Sequence, residues 1–175
     1  LANLSLTIPR SLGIEPGSRV AQVAAPAFDA WVWEVFSTLM GGGTLILADR
    51  EELRPGQPLA TMIADRAVSH VTLTPSVIAA MGDATLPALR VLVAAGEPLS
   101  TELAARWASG RRMVNAYGPC EATVCATMDE IHKNTGAPTI GQPIPGVTAM
   151  VMDRRGRPVI PGAMGELWIG GLGVG

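Results

Sequence analysis

Short apolar runs alternate with longer mixed stretches through the first two thirds of the chain. Arg19-Val20-Ala21-Gln22-Val23-Ala24, Thr44-Leu45-Ile46-Leu47-Ala48, His70-Val71-Thr72-Leu73, Arg90-Val91-Leu92-Val93-Ala94 and Arg112-Met113-Val114-Asn115 are compact and rich in β-formers, so each predicts a strand. Between them the pattern predicts helices over 28–40, 59–66, 74–81 and 100–108. Strands that are apolar nearly throughout and alternate with helices imply parallel strands, buried on both faces and joined by crossover helices, which is the α/β class.

The segment 28–40 is apolar almost all round, with Phe28, Trp31, Val32, Trp33, Val35, Phe36, Leu39 and Met40 spread over every face, and so predicts a buried helix. Asp29 near its start reads as an N-terminal cap that satisfies orphan N–H groups and suits the positive end of the helix dipole. After Asn134 the pattern turns to Pro, Gly and β-formers. Residues 147–152 and 165–170, separated by the turn Arg154-Arg155-Gly156-Arg157-Pro158, predict a β-hairpin outside the parallel sheet. A subdomain boundary is placed near residue 137, giving segments 1–136 and 137–175.

Composition narrows the classes. A chain of 175 residues, 48% hydrophobic and 16% charged, can bury a real core. The net charge of −2 offers no basic surface for a phosphate backbone, so no nucleic acid is expected. No apolar run approaches the ~20 residues of a spanning helix, and no basic n-region precedes an apolar h-region, so a soluble cytoplasmic protein without a membrane partner is expected. Cys120 and Cys125 are too few for a disulfide framework or a zinc set, and are expected to be buried reduced thiols. The chain lacks an initiator Met and ends in a strand-like Gly-rich exit, which suggests a piece of a longer polypeptide.

In a parallel sheet, ligands bind beyond the carboxyl ends of the strands. The loops 25–29, 95–98 and 117–121 lie at such ends. Gly96 and Gly118 permit close backbone approach, Tyr117 offers a flat face to a planar ring, and Glu121 is a hard oxygen ligand suited to Mg²⁺, a combination that suits a nucleotide. An ordinary turn at 117–119 and a solvated Glu121 remain open readings of the same residues. Gly41-Gly42-Gly43-Thr44 lacks the following Gly-Lys-Ser/Thr of a P-loop, and Gly171, Gly173 and Gly175 open no helix. Neither His70 nor His132 lies in a recognisable nucleophile motif.

Four stretches, Phe28-Asp29-Ala30-Trp31, Asn115-Ala116-Tyr117-Gly118-Pro119-Cys120-Glu121, Ile140-Gly141-Gln142-Pro143 and Gly165-Glu166-Leu167-Trp168-Ile169-Gly170, resemble in order the adenylation domains of nonribosomal peptide synthetases, within the adenylate-forming superfamily. The resemblance covers essentially the whole chain. It implies a flavodoxin-like parallel sheet flanked by helices, followed by the start of a β-rich subdomain. It also implies an enzyme that joins a carboxylate to ATP with Mg²⁺ and passes the acyl group to a phosphopantetheine thiol. The implied partners are the rest of the adenylation domain, a peptidyl carrier protein and a condensation domain. Tyr117 would pack against adenine, with Asn115, Gly96, Glu97 and Gly118 nearby, and Glu121 would help bind Mg²⁺.

The resemblance makes Asp29 the partner of the substrate α-ammonium, since a buried ammonium needs an anion. The remaining pocket positions match Ala30, Trp33, Thr72, Val93 and Ala95, then Ala116, Val124 and Cys125. Small residues beside Trp33 resemble pockets for L-phenylalanine or a similar aromatic amino acid. Where the family commonly has Thr at the α-phosphate contact, this chain has Cys120, a weaker hydrogen-bond donor that is expected to slow adenylation. The family's phosphate loop, ribose-binding Asp and catalytic Lys fall outside residues 1–175, and the only lysine, Lys133, is misplaced to substitute, so the isolated chain is expected to be inactive. Two other readings stay open: an acyl- or aryl-CoA ligase, for which an anion at Asp29 would be unhelpful, and a non-catalytic binding module.

Overall fold

A computed structural model describes residues 1–132 and 136–175; Lys133 and Asn134, both singled out above, lie outside the described residues. Strands β1 (Arg19–Ala21), β2 (Thr44–Ile46), β3 (His70–Leu73), β4 (Val91–Ala95) and β5 (Arg112–Tyr117) pair in parallel, as the alternation predicts. Two further strands depart from it: β6 (Thr127–Ile131) runs antiparallel to β5, and β7 (Gln142–Pro143) antiparallel to β6. The reason is connection length. The short turn after β5 lets the chain double back, whereas a parallel return needs a crossover. The sheet order is β2-β1-β3-β4-β5-β6-β7, so pairing in this sheet runs past residue 137. The predicted hairpin forms a separate sheet of β8 (Val147–Met152) and β9 (Glu166–Gly171).

Helices α2 (Ala30–Met40), α3 (Gln57–Asp65), α4 (Pro75–Ala80) and α5 (Thr101–Trp107) fall where the pattern puts them. Helix α1 (Ala2–Leu12), for which the sequence reading made no prediction, carries Leu4, Ile8 and Leu12 on one buried stripe and packs against α2. Pro9 inside it is the residue that obscures the pattern.

Alternation along the strands divides the core into two layers. Val71, Leu73, Leu92, Ala94 and Met113 face Leu59, Ile63, Ile78, Leu103 and Trp107 of α3, α4 and α5. Val20, Val91, Val93, Val114 and Ala116 face Leu4, Ile8, Leu12 and Trp33 of α1 and α2. His70 is buried on this second side, its Nε2–H donating to the Leu12 carbonyl at 3.2 Å while Nδ1 accepts from the Ser69 hydroxyl at 2.7 Å.

Helix α2 corrects the expectation of all-round burial. Its buried residues are Trp33, Glu34, Ser37 and Thr38, while Phe28 just before it and Leu39 within it are 68% and 61% exposed. Ser37 and Thr38 are small enough to lie close to neighbouring backbone, and the Thr38 hydroxyl donates to the Glu34 carbonyl. Glu34 accepts from backbone amides that no strand partner satisfies. The helix therefore turns a partly polar stripe inward and leaves apolar side chains outside.

Candidate functional site

Two adjoining recesses open at the carboxyl ends of β3, β4 and β5. The smaller, about 40 Å³, is lined by Ala30, Trp33, Thr72, Ala95, Ala116, Val124 and Cys125 together with Gly96 and Gly118. The larger, about 450 Å³, is lined by Gly96, Glu97, Pro98, Leu99, Asn115, Ala116, Tyr117, Gly118, Pro138 and Ile140. Gly96, Ala116 and Gly118 belong to both and form the partition between them.

Strand register assembles the smaller recess. Thr72 pairs with Val93, and Ala95 with Ala116, on neighbouring strands. All four lie on the face that meets Trp33, Val93 and Ala95 being two residues apart on β4. Trp33 is buried, and its indole N–H donates to the Thr72 hydroxyl at 3.0 Å, which fixes the ring's plane. Val93 is buried one layer deeper and does not line the recess.

The opposite wall is a strained turn. Thr123 and Val124 both adopt left-handed backbone angles, φ 54° and 68°, which β-branched residues rarely tolerate. The surroundings impose this conformation: the Thr123 hydroxyl donates to the Gly173 carbonyl at 2.6 Å, the Cys125 amide to Thr123 at 2.7 Å, and the Ala126 amide to Tyr117 at 2.8 Å. Backbone packs so tightly here that a Cβ on Gly118 would meet Ala126 N and Val124 O at 2.6 Å.

Asp29 stands at the N-cap of α2 but its side chain makes no cap hydrogen bond, so the capping expectation is corrected. It lines neither recess. Its carboxylate instead lies near the Cys120 thiol, and this proximity pushes the thiol's pKa up. The Asp29 and Cys120 loops, remote in sequence, are thereby brought together. The buried-thiol expectation holds for Cys125, which burial pushes up to about 12, and fails for Cys120, which is exposed because it opens the single 3₁₀ turn Cys120–Ala122 after β5.

Tyr117 is 41% exposed at the end of β5 and faces the larger cleft. Asn115 also lines it, but its amide donates to the Thr139 carbonyl at 2.7 Å and so ties β5 to the 138–141 segment. The Glu97 carboxylate is engaged as well, accepting from the Ser76 amide at 2.9 Å and hydroxyl at 2.8 Å, contacts that lower its pKa. Leu99, Pro98, Pro138 and Ile140 were not singled out as site residues. Ile140 belongs to the quoted Ile140-Gly141-Gln142-Pro143 stretch, the signal that could have found it.

Glu121 is exposed in the 3₁₀ turn. Among the described residues no group of three His, Cys, Asp or Glu side chains could hold a metal alone. Glu121 lines neither recess, but an exposed carboxylate three residues beyond Gly118, which lines both, can give one hard oxygen to Mg²⁺, which commonly takes most of its ligands from phosphates and water. His70 is held by the Ser69 hydroxyl and the Leu12 carbonyl and lines neither recess, so it supplies no base there. The arrangement is one for positioning, with an anion beside an apolar recess and a flat aromatic face in a cleft.

The fold and the paired recesses define an α/β protein with two adjoining spaces at the carboxyl ends of its strands, one small and one wider. The chain belongs to the AMP-binding enzyme family, whose model matches residues 1–175. It is 41% identical over 172 residues to Bacitracin synthase 3 of Bacillus licheniformis, covering 98% of this chain and 3% of that protein. It is 45% identical over 157 residues to Novobiocin biosynthesis protein H of Streptomyces niveus, covering 90% of this chain and 26% of that protein. Among solved structures, holo-PA1221, a nonribosomal peptide synthetase protein containing adenylation and carrier domains, superposes with a TM-score of 0.83 at 26% identity over 92% of this chain and 30% of that one. The chain thus spans a small part of the relatives it matches. Among the described residues no helix is long and apolar enough to cross a membrane.

Proposed function

We propose that this chain forms the amino-acid recess and part of the ATP site of a nonribosomal peptide synthetase adenylation domain. The observation that carries the reading is the shared wall: Gly96, Ala116 and Gly118 separate an apolar recess from a nucleotide-sized cleft, so a carboxylate in one lies beside a phosphate in the other. Bound ATP with Mg²⁺ would supply the α-phosphorus for adenylyl transfer, the carboxylate oxygen forming the acyl–AMP bond as the bond to the leaving pyrophosphate breaks. The chain's own contribution is orientation. Tyr117 stacks the adenine, Gly96 and Gly118 let backbone approach the nucleotide, and Asn115 and Glu97 hold the cleft walls. Glu121 places the metal and Cys120 meets the α-phosphate side. Asp29 receives the α-ammonium at the recess rim, which fixes the carboxylate's direction.

In this reading residues 1–136 are the substrate-binding subdomain and 137–175 begin the β-subdomain. The parent is a cytoplasmic synthetase that also carries condensation and peptidyl carrier domains, the latter receiving the aminoacyl group on phosphopantetheine. Asp29 favours an amino acid over the carboxylate of a CoA ligase. Ala30, Ala95, Ala116, Val124 and Cys125 beside Trp33 favour L-phenylalanine or a similar aromatic. The recess volume of about 40 Å³, room for a few waters, favours a small side chain instead.

Grafting residues 19–128 into a complete adenylation domain of different specificity and measuring amino-acid-dependent ATP–pyrophosphate exchange decides between them. Exchange that switches to phenylalanine is expected. A switch to alanine or glycine would overturn the aromatic assignment, and a folded graft that keeps the host's specificity would overturn the recess itself.

A further inference from the structure

Glu34 is a buried carboxylate, 2% exposed, that the reading above does not use. It takes part in none of the ion pairs among the described residues. Its Oε2 accepts from the Val23 amide at 3.0 Å, the Ala24 amide at 3.0 Å and the Gln22 side-chain amide at 3.2 Å, and its Oε1 approaches the Ala24 amide at 3.3 Å. Beyond β1 the Gln22 backbone amide still donates to the Ile46 carbonyl at 3.0 Å, but the Val23 and Ala24 amides have no ladder partner. Gln22 completes the knot by donating to the Ala24 carbonyl. An unpaired buried carboxylate is costly, and here its compensation is these donors.

The placement gives this knot a consequence at the site. Residues 25–28 are exposed and lead directly into Asp29, whose carbonyl accepts from the Val32 amide at 2.9 Å and so starts α2. Glu34 follows Trp33 on the same helix. The loop bearing Asp29 is therefore held at its far end by the amides on Glu34 and at its near end by α2. With the Asp29 side chain making no cap bond, loop geometry together with the nearby Cys120 thiol sets where that carboxylate stands.

We propose that Glu34 is a positioning residue that fixes the 22–29 loop and thereby aims Asp29 at the substrate ammonium. This rests on the amino-acid reading given above. Glu34 does not touch substrate. Losing it leaves the Val23 and Ala24 amides without an acceptor and frees the loop to move Asp29.

The test is steady-state exchange in a complete adenylation domain containing this chain, with Glu34→Ala and Glu34→Gln, measuring KM for amino acid and for ATP separately, and Ki for the deamino analogue 3-phenylpropanoate. Glu34→Ala should raise the amino-acid KM about tenfold or more, from the loss of buried acceptors, and leave the ATP KM and the analogue's Ki within about threefold. Glu34→Gln, which keeps one acceptor oxygen, should recover most of the amino-acid KM. An unchanged amino-acid KM in Glu34→Ala would overturn the proposal. So would equal shifts in all three constants, the mark of a general structural role. If Glu34→Ala does not fold, Glu34→Asp decides, with a selective rise in amino-acid KM expected and no selectivity contradicting. A parent with no exchange on any amino acid, yet competent with 3-phenylpropanoate, would remove the amino-acid reading and this proposal with it, an outcome separate from a wild-type-like Glu34→Ala.

Discussion

The two sides of the sheet are built differently. On the side of α3, α4 and α5 the buried layer is mostly apolar: Leu59, Ile63, Ile78 and Leu103 close on Val71, Leu73, Leu92 and Met113, with Asn115 a polar side chain at the carboxyl end of β5. On the side of α1 and α2 the same strands bury Val91, Val93 and Val114, but alongside them lie His70, Glu34, Ser37 and Thr38, and here the smaller recess opens. The difference follows from one alternation, since His70 and Thr72 of β3 point to one side and Val71 and Leu73 to the other. Apolar burial on the first side stabilises the sheet, and polar groups on the second shape the edge of a site. The hydrogen-bond partners of His70, Glu34 and Thr38 fix backbone that pure hydrophobic packing would leave less determined, whereas the buried Ser37 hydroxyl has no partner among the described residues.

If that division is right, the two sides separate in mutational effect. Leu92→Ala, at a fully buried apolar position, should cost about 3 kcal/mol of stability in denaturant unfolding and leave the amino-acid KM of the folded enzyme unchanged. The next effect, of similar size, depends on pH and belongs to the polar side alone. Burial pushes the Glu34 carboxyl up to about 7 from an ordinary 4.5, so the folded protein binds a proton there that the unfolded chain does not. Stability from this group is present below pH 4.5 and is lost as pH rises toward 7, by roughly 3 kcal/mol. Burial lowers the His70 pKa from an ordinary 6.5, which gives the opposite sign: its stability is present above pH 6.5 and lost as pH falls toward the folded value. Unfolding curves across pH 4.5–7 should show Glu34→Gln removing the negative slope and His70→Asn removing a positive one.

A smaller effect should touch function more than stability. Thr72→Val leaves the buried Trp33 indole N–H without its acceptor, a loss of about 1–2 kcal/mol, and frees the ring that walls the recess. The amino-acid KM is expected to rise about tenfold with the ATP KM unchanged, read by exchange kinetics.

Much of this was legible in the residues, unevenly. Strands β3, β4 and β5 announce themselves as apolar runs, and the i, i+2 rule puts His70 with Thr72, and Val93 with Ala95, on common faces, while the cross-strand register that joins these pairs is seen only in the fold. The outward-facing apolar side of α2 was not legible. Hydrophobic pattern alone predicts burial for Phe28 and Leu39, and only the packed arrangement shows that the inward stripe carries Glu34, Ser37 and Thr38. Glu34 drew no reading from the sequence, because its partners include backbone amides that no side-chain pattern marks. The Asp29–Cys120 contact joins loops far apart in sequence, and the left-handed turn at Thr123 and Val124 runs against the preferences of both residues. Antiparallel β6 was hidden behind the Tyr117-Gly118-Pro119 turn, whose Gly118 permits the close backbone return.

The most direct test of the central claim, that Asp29 at the rim of the Trp33 recess receives an amino acid's ammonium, is ATP–pyrophosphate exchange of Asp29→Ala in a complete adenylation domain containing this chain. Because the Asp29 side chain makes no cap bond, the variant should unfold at the parent's midpoint while amino-acid-dependent exchange falls by at least about a hundredfold, the cost of leaving a desolvated charge unpaired. Exchange that persists near the parental rate in a folded Asp29→Ala enzyme would contradict the account.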